Sequence, residues 1–307
     1  MREIMIGLLS MISYNISAQS FMTQWISLPE VDSTSQVWFR QTIVDSQRPT
    51  LANIIITTTG QIELYVNGYN VSTDTRLPYR VYSDNDKPIC MSFNVTRFLR
   101  PDSNTIAVWY SPTYPHIQPR QISLNYNGVM PDGEKFSYNA DEEWLCRKAN
   151  ISLTADGEEE FFSPSNDAVW NSSEYEPACW IGAKLQNDDT TSSITDYASF
   201  YNSRRVTKII RPECHKISRD SIEYRFNPAF QGYVRITLRE AKKGEKLDIG
   251  GLKYTCNGDI DEQTYRKFTD KYCDYVIICG DRRFRKSQIQ NVEGVEISTY
   301  FHSNWLY

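Results

Sequence analysis

The chain has 307 residues, 40% hydrophobic and 23% charged, which excludes a disordered polymer and leaves length for two domains with their own cores. A net charge of -5 gives no general attraction to nucleic acid or anionic lipid and sets both aside as main partners. The 20 tyrosines, 13 phenylalanines and 7 tryptophans suit half-buried strands and sugar-stacking surfaces alike.

The N-terminus has the three parts of a secretory signal in order: Arg2, the apolar run Ile4 to Ile12, and the small-residue site Ile16-Ser17-Ala18. Residues 1–18 are expected to be a signal peptide with a mature start near Gln19, which implies a secreted or periplasmic protein. The apolar run is too short to span a bilayer, and no later stretch is long and apolar enough for a transmembrane helix. No cysteine follows it closely, so no lipoprotein anchor is expected.

Strand signals dominate from there on. Val37 to Val44, Ala52 to Thr58, Gln61 to Val66, Asn104 to Tyr110 and Gln121 to Tyr126 are short β-branched or aromatic runs separated by Pro, Gly, Asn and Asp. Asn67-Gly68 is the strongest hairpin signal, because both central residues of a type I′ turn need positive φ. Ser92 to Leu99 reads as a short helical turn or a bent strand, ended by Pro101. Asn166 to Trp180 and Asn187 to Ser193 are polar and irregular, and the domain boundary is placed near residue 200. Strands return at Arg204 to Ile210, Ser221 to Phe226, Gly232 to Arg239, Lys246 to Ile249, Tyr275 to Cys279 and Val295 to Tyr300, with a charged turn at 241–245. The expected fold class is all-β: two antiparallel β-sandwich, jelly-roll-like domains, over 19–200 and 201–307.

Seven cysteines (90, 146, 179, 214, 256, 273 and 279) are odd in number and sparsely spaced, and most read as buried free thiols. There is no CxxC, and His116, His215 and His302 are scattered, so no metal site is expected from them. Sequons occur at Asn15, Asn70, Asn94, Asn150 and Asn171.

Taken in order, several stretches resemble the non-catalytic N-terminal region of bacterial α-L-rhamnosidases of glycoside hydrolase family 78. They are Phe39 to Ile43 (FRQTI), Ile62 to Val71 (IELYVNGYNV), Phe93 to Thr96 with Leu99 and Asn104 to Val108, Ala140 to Trp144 (ADEEW), Glu223 to Arg235 with Lys243-Gly244-Glu245, and Asp274 to Gly280 (DYVIICG). The hairpin and its FNVT partner are also similar to jelly-roll sugar-binding domains of the galactose-binding type. The sequence departs from the family pattern at Asn94, at Pro101-Asp102-Ser103, at 250–254 and at Gly294-Val295-Glu296. The resemblance implies a galactose-binding-like sandwich followed by a concanavalin-like one. Family catalysis resides in a helical barrel, which would begin where this sequence ends. Some members bind rhamnose in an accessory sandwich with calcium, and Asn187-Asp188-Asp189 would offer oxygens for such an ion.

Glycoside hydrolysis needs two facing carboxyl groups. The acidic runs 141–143, 158–160 and Asp259, Asp261, Glu262 read as solvated loops instead. No GxSxG, GxGxxG or Walker pattern occurs. Carbohydrate binding needs aromatic faces beside amides and carboxylates, on loops at a sandwich end. The candidates are Trp144, Trp170, Tyr175 and Trp180 with Asp141, Glu142, Asn166 and Asp167, and the rim tyrosines Tyr79, Tyr82 and Tyr114. Trp144 also has the look of a packing residue. Asn67-Gly68 is expected to serve topology. The expected function is an exported, non-catalytic, rhamnosidase-related protein that binds a plant or bacterial glycan, with rhamnose among the candidate sugars. A split rhamnosidase acting with a separate barrel and a structural surface module stay open.

Overall fold

The computed structural model describes residues 24–30, 32–79, 88–115, 119–163, 169–187, 195–196 and 203–300. The signal segment and the boundary near residue 200 lie outside them. In chain order the strands are β1 (Gln24–Ser27), β2 (Ser35–Val44), β3 (Leu51–Thr58), β4 (Gln61–Val66), β5 (Tyr69–Asn70), β6 (Ile89–Asn94), β7 (Ser103–Ser111) and β8 (Ile122–Val129). Then come β9 (Lys135–Asn139), β10 (Leu145–Leu153), β11 (Glu159–Phe162), β12 (Ile181–Gly182), β13 (Lys184–Asn187) and β14 (Thr195–Asp196). The last are β15 (Ser203–Ile210), β16 (Cys214–Ile217), β17 (Ser221–Arg239), β18 (Lys246–Ile249), β19 (Leu252–Thr255), β20 (Asp261–Thr264), β21 (Lys271–Gly280) and β22 (Ile289–Tyr300). The fold is all-β as expected; Thr96–Phe98 and Lys286–Gln288 are single 3-10 turns. No helix among the described residues is long and apolar enough to cross a membrane.

The first sandwich packs the sheet β13-β1-β8-β3-β6-β14 against the layer β10-β2-β7-β4-β5. Alternation along the strands explains its core. Ile54 and Ile56 of β3, Ile62 and Leu64 of β4, Ile106 and Val108 of β7, and Ile122 and Leu124 of β8 all point into one cluster. The Asn67-Gly68 turn has φ of 51° and 83°, and it joins β4 to β5. Asn67 is buried: its Nδ2 donates to Phe98 O and Asn104 Oδ1, both at 2.9 Å, and its Oδ1 accepts Thr105 N at 2.9 Å. The turn therefore fixes register, the role expected of it.

The segment from Ser92 resolves into the end of β6 followed by the Thr96–Phe98 turn. In the second half, the two strands expected at 221–226 and 232–239 are one 19-residue strand, β17. Its pairing with β21 shifts register between Arg225 and Phe230, around Pro228, which has no N–H to give the ladder. Its partners also change along its length. β16 and β21 flank the first part, and β22 and β20 the last. Ile222, Phe226, Val234, Ile236 and Leu238 of β17 meet Leu247, Ile249, Tyr254, Val276 and Ile278 in the second core.

The layers of the two halves are joined edge to edge. β11 pairs in parallel with β19, Glu160 against Lys253 and Phe161 against Tyr254, so one hydrogen-bonded sheet runs from β15 to β5. The other parallel contact, β14 with β6, lies in the first sandwich; the remaining named pairings are antiparallel.

Candidate functional site at the junction of the two halves

A cavity of about 370 Å³ opens where the halves meet. One wall comes from the first half: Arg76 after β5, Tyr79, Thr113 and Tyr114 after β7, and Gly157 and Glu158 before β11. The other wall is Arg204 on β15 and the segment 266–271 leading into β21.

Glu159 sets the position of that segment. Its carboxylate is fully buried and accepts the backbone N–H groups of Lys267 and Phe268 at 2.6 Å and of Thr269 at 2.9 Å. Burial pushes the Glu159 carboxyl up, and the N–H donors with Arg76 and Arg266 oppose that rise. Lys267 reinforces the joint. Its ammonium lies 4.9 Å from the Trp109 ring centre and 2.7 Å from Glu63. Burial disfavours that ammonium, but Glu63, Tyr65 and Tyr265 more than compensate and raise its pKa.

Arg76 is 2% exposed and has a left-handed φ of 60°. It is held by Thr269 O, by Asp270 at 3.0 Å and by the Tyr233 ring at 5.6 Å. Asp270 also meets Arg204 at 3.1 Å, and the Arg204 guanidinium lies over the Tyr79 ring at 4.8 Å. Across the cavity, Glu158 bridges Arg266 at 2.5 Å and Lys271. Burial alone would raise both lining carboxyls. For Asp270, Arg76, Gln231 and Arg204 outweigh it; for Glu158, Lys271 and Arg266 do. Both end below the ordinary carboxylate range. Burial lowers the Arg76 pKa, because Asp270 and Glu159 only partly repay its lost hydration. Tyr114, 56% exposed, forms the lip and packs on Gly157, where an added Cβ would come within 2.5 Å of the Tyr114 Cγ.

Of the residues singled out in the sequence, Tyr79 and Tyr114 come together here. The tryptophans do not. Trp144 is 2% exposed inside the first core, so its ring offers no open face. Trp170 and Trp180 are also buried, in a cluster with Trp38, Trp109 and Phe268 on the outer face of β2 and β7. Trp170 stacks on Trp38 with centroids 4.9 Å apart and 11° between planes. The reason is that β2 and β7 are apolar on both faces, and the 169–180 loop covers the outer one with its own indoles. Tyr175 sits at that cluster's edge, its hydroxyl accepting Trp180 Nε1 at 3.3 Å and its carbonyl accepting Arg40 at 3.1 Å. Asp141 forms a turn by accepting Glu143 N at 3.0 Å, and it borders a separate cavity of about 400 Å³ with Gln24, Gln41, Tyr138 and Glu143. Glu142 is exposed in that turn. Asn166, Asp167, Tyr82, Asp188 and Asp189 lie outside the described residues.

The solvated-loop reading needs correcting for Glu159 and for Glu262. Glu262 is 4% exposed and accepts the Tyr254 hydroxyl at 2.8 Å and Asn257 N at 2.9 Å. Cys146, Cys256 and Cys273 are buried thiols, and Cys179 and Cys214 are exposed. No metal-ligating cluster occurs among the described residues. Sequence reading missed Arg76, Arg204, Arg266, Asp270 and Lys271, which no local motif connects.

No protein-family model and no curated protein matches the sequence. Solved structures do match the fold. An α-L-rhamnosidase from Dictyoglumus thermophilum superposes with a TM-score of 0.79 at 18% identity, over 92% of this chain and 36% of that one. The Streptomyces avermitilis α-L-rhamnosidase complexed with L-rhamnose gives 0.75 at 15% identity, over 87% and 29%. The Aspergillus terreus α-L-rhamnosidase gives 0.74 at 16%, over 91% and 36%. The chain thus has the β-sandwich fold found in part of these enzymes and spans about a third of their length.

Proposed function

We propose that this protein binds carbohydrate without cleaving it, as an exported two-sandwich unit related to the non-catalytic part of α-L-rhamnosidases. The observation that carries the reading is the junction cavity: a preformed pocket with a tyrosine at its lip and forked guanidinium and carboxylate groups in its walls. Such walls offer hydroxyls both donors and acceptors, and the Tyr114 ring offers a face for a pyranose C–H surface. Among the described residues lining this cavity, the carboxyls that a hydrolytic pair could draw on are Glu158 and Asp270. Cationic neighbours hold both ionised, and a glycosidase needs one of its pair protonated near neutral pH. Rhamnose-containing glycans are the first ligands to try, and calcium the first ion.

A glycan array followed by calorimetry tests the reading. Binding of at least one glycan is expected, weakened about tenfold by Tyr114→Ala, the loss of one stacking contact. An array without hits, or aryl-rhamnoside turnover abolished by Asp270→Asn, would overturn it. The fold match to rhamnosidases favours one second reading, action as part of a rhamnoside hydrolase with a separate catalytic barrel. Turnover appearing only when such a barrel is added would support that reading.

A further inference from the structure

The walls of the junction cavity are unequal in charge. Among the described lining residues, Arg76, Arg204, Arg266 and Lys271 face Glu158 and Asp270. Counting Glu159, buried just behind and coupled to Arg76 and Arg266, the cations still lead by four to three. This surplus sits in a protein whose net charge is -5. It is also incompletely bonded. The Nε–H of buried Arg76 has no acceptor, and its Nη1 meets Asp270 at 3.0 Å outside hydrogen-bond geometry. Thr113 Oγ1, in the same wall, is buried without a partner. Unsatisfied buried polar groups call for an explanation, and completion by a ligand is one; Glu158 Oε2, also lining the cavity, is a further atom without a hydrogen-bond partner.

A neutral sugar would answer these donors with hydroxyl oxygens alone. An anionic oxygen pair answers a guanidinium fork in plane and supplies negative charge against the cationic surplus. Arg204 is already oriented for such a partner, held on one side by the Tyr79 ring and at its end by Asp270. We propose that the junction cavity takes a glycan carrying an anionic substituent, a uronate carboxylate or a sulfate ester, seated against Arg76 and Arg204 with a neighbouring ring on Tyr114. The inference rests on the carbohydrate-binding reading and names the ligand's class.

The test is calorimetric titration of the whole chain with three probes: trigalacturonate, its carboxyl-reduced neutral trisaccharide, and a sulfated form of that neutral trisaccharide. At low salt an anionic probe is expected to bind about tenfold or more tightly than the neutral one, and added salt should narrow the gap. Whichever anionic probe binds more tightly identifies the substituent. Arg204→Gln should weaken binding of the anionic probes more than that of the neutral one and so remove most of the preference. Lys271→Gln, at a half-exposed position, should reduce it in the same direction and guards against a misfolded first variant. Equal affinity for all three probes would overturn this inference and leave carbohydrate binding standing. No binding of any probe, with an array that also lacks hits, would overturn both.

Discussion

Phe268 donates its backbone N–H to the carboxylate of Glu159 at 2.6 Å, although 109 positions separate them in the chain. With the Lys267 and Thr269 bonds, this makes one buried side chain the latch between the halves. Glu159→Ala would leave three N–H groups without their acceptor and two buried guanidinium groups less compensated. The expected loss is about 3–5 kcal/mol in urea unfolding, the range for breaking a buried charge pair. Glu159→Gln keeps one acceptor oxygen and should lose less. A loss of under about 1 kcal/mol on Glu159→Ala would show that the latch carries no weight.

Acid should loosen the same joint. The folded pKa values of Asp270 and Glu158 lie below their ordinary 3.8 and 4.5. Their contribution is therefore complete above those ordinary values and is lost as pH falls through the depressed folded ones. Glu159, pushed up by burial, acts in the opposite sense. Melting temperature should hold from pH 7 to about 5 and fall below about 4.5, with Asp270→Asn showing a shallower decline. An unchanged decline in that variant would remove Asp270 from the account.

Trp170 is a packing residue on this structure, and that is measurable. Trp170→Ala should cost about 3–5 kcal/mol, as large aromatic truncations in packed clusters do. It should also remove much of the near-ultraviolet circular dichroism produced by the stacked Trp38 and Trp170 rings. Among molecules that stay folded, glycan affinity should not change. A selective loss of affinity with stability intact would return Trp170 to the binding surface.

At the hairpin, Asn67 does two jobs that substitution can separate. Asn67→Gly keeps the left-handed turn and loses the side-chain bonds to Phe98, Asn104 and Thr105. Asn67→Ala loses those bonds and strains the backbone as well. Both should destabilise by about 1–3 kcal/mol, with alanine the worse of the two. Equal effects would mean that the turn conformation carries little of the cost.

The strands of the first sandwich are legible because β3, β4 and β7 alternate or run apolar between turn residues, and a period of two is a local signal. β17 is not legible as one strand, since Pro228 interrupts the ladder and the pattern together. Tyr79 and Tyr114 can be picked out because each adjoins a proline in a polar loop. The indoles of the 169–180 loop mislead for the same reason: a tryptophan among polar residues looks exposed unless the sheet beneath it is known to be apolar on both faces. The charged wall is illegible. Positions 76, 158, 204, 266, 270 and 271 share no spacing, and only the third dimension assembles them.

The parallel ladder between β11 and β19 bears on inheritance. A gene cut near residue 200 would strand β11 without its neighbour and leave a raw edge, ready to add any passing strand. Neither fragment would hold a complete cavity, because each would carry away one wall. The two sandwiches are therefore expected to travel together, with any exchange of modules breaking the chain outside residues 24–300 rather than between them.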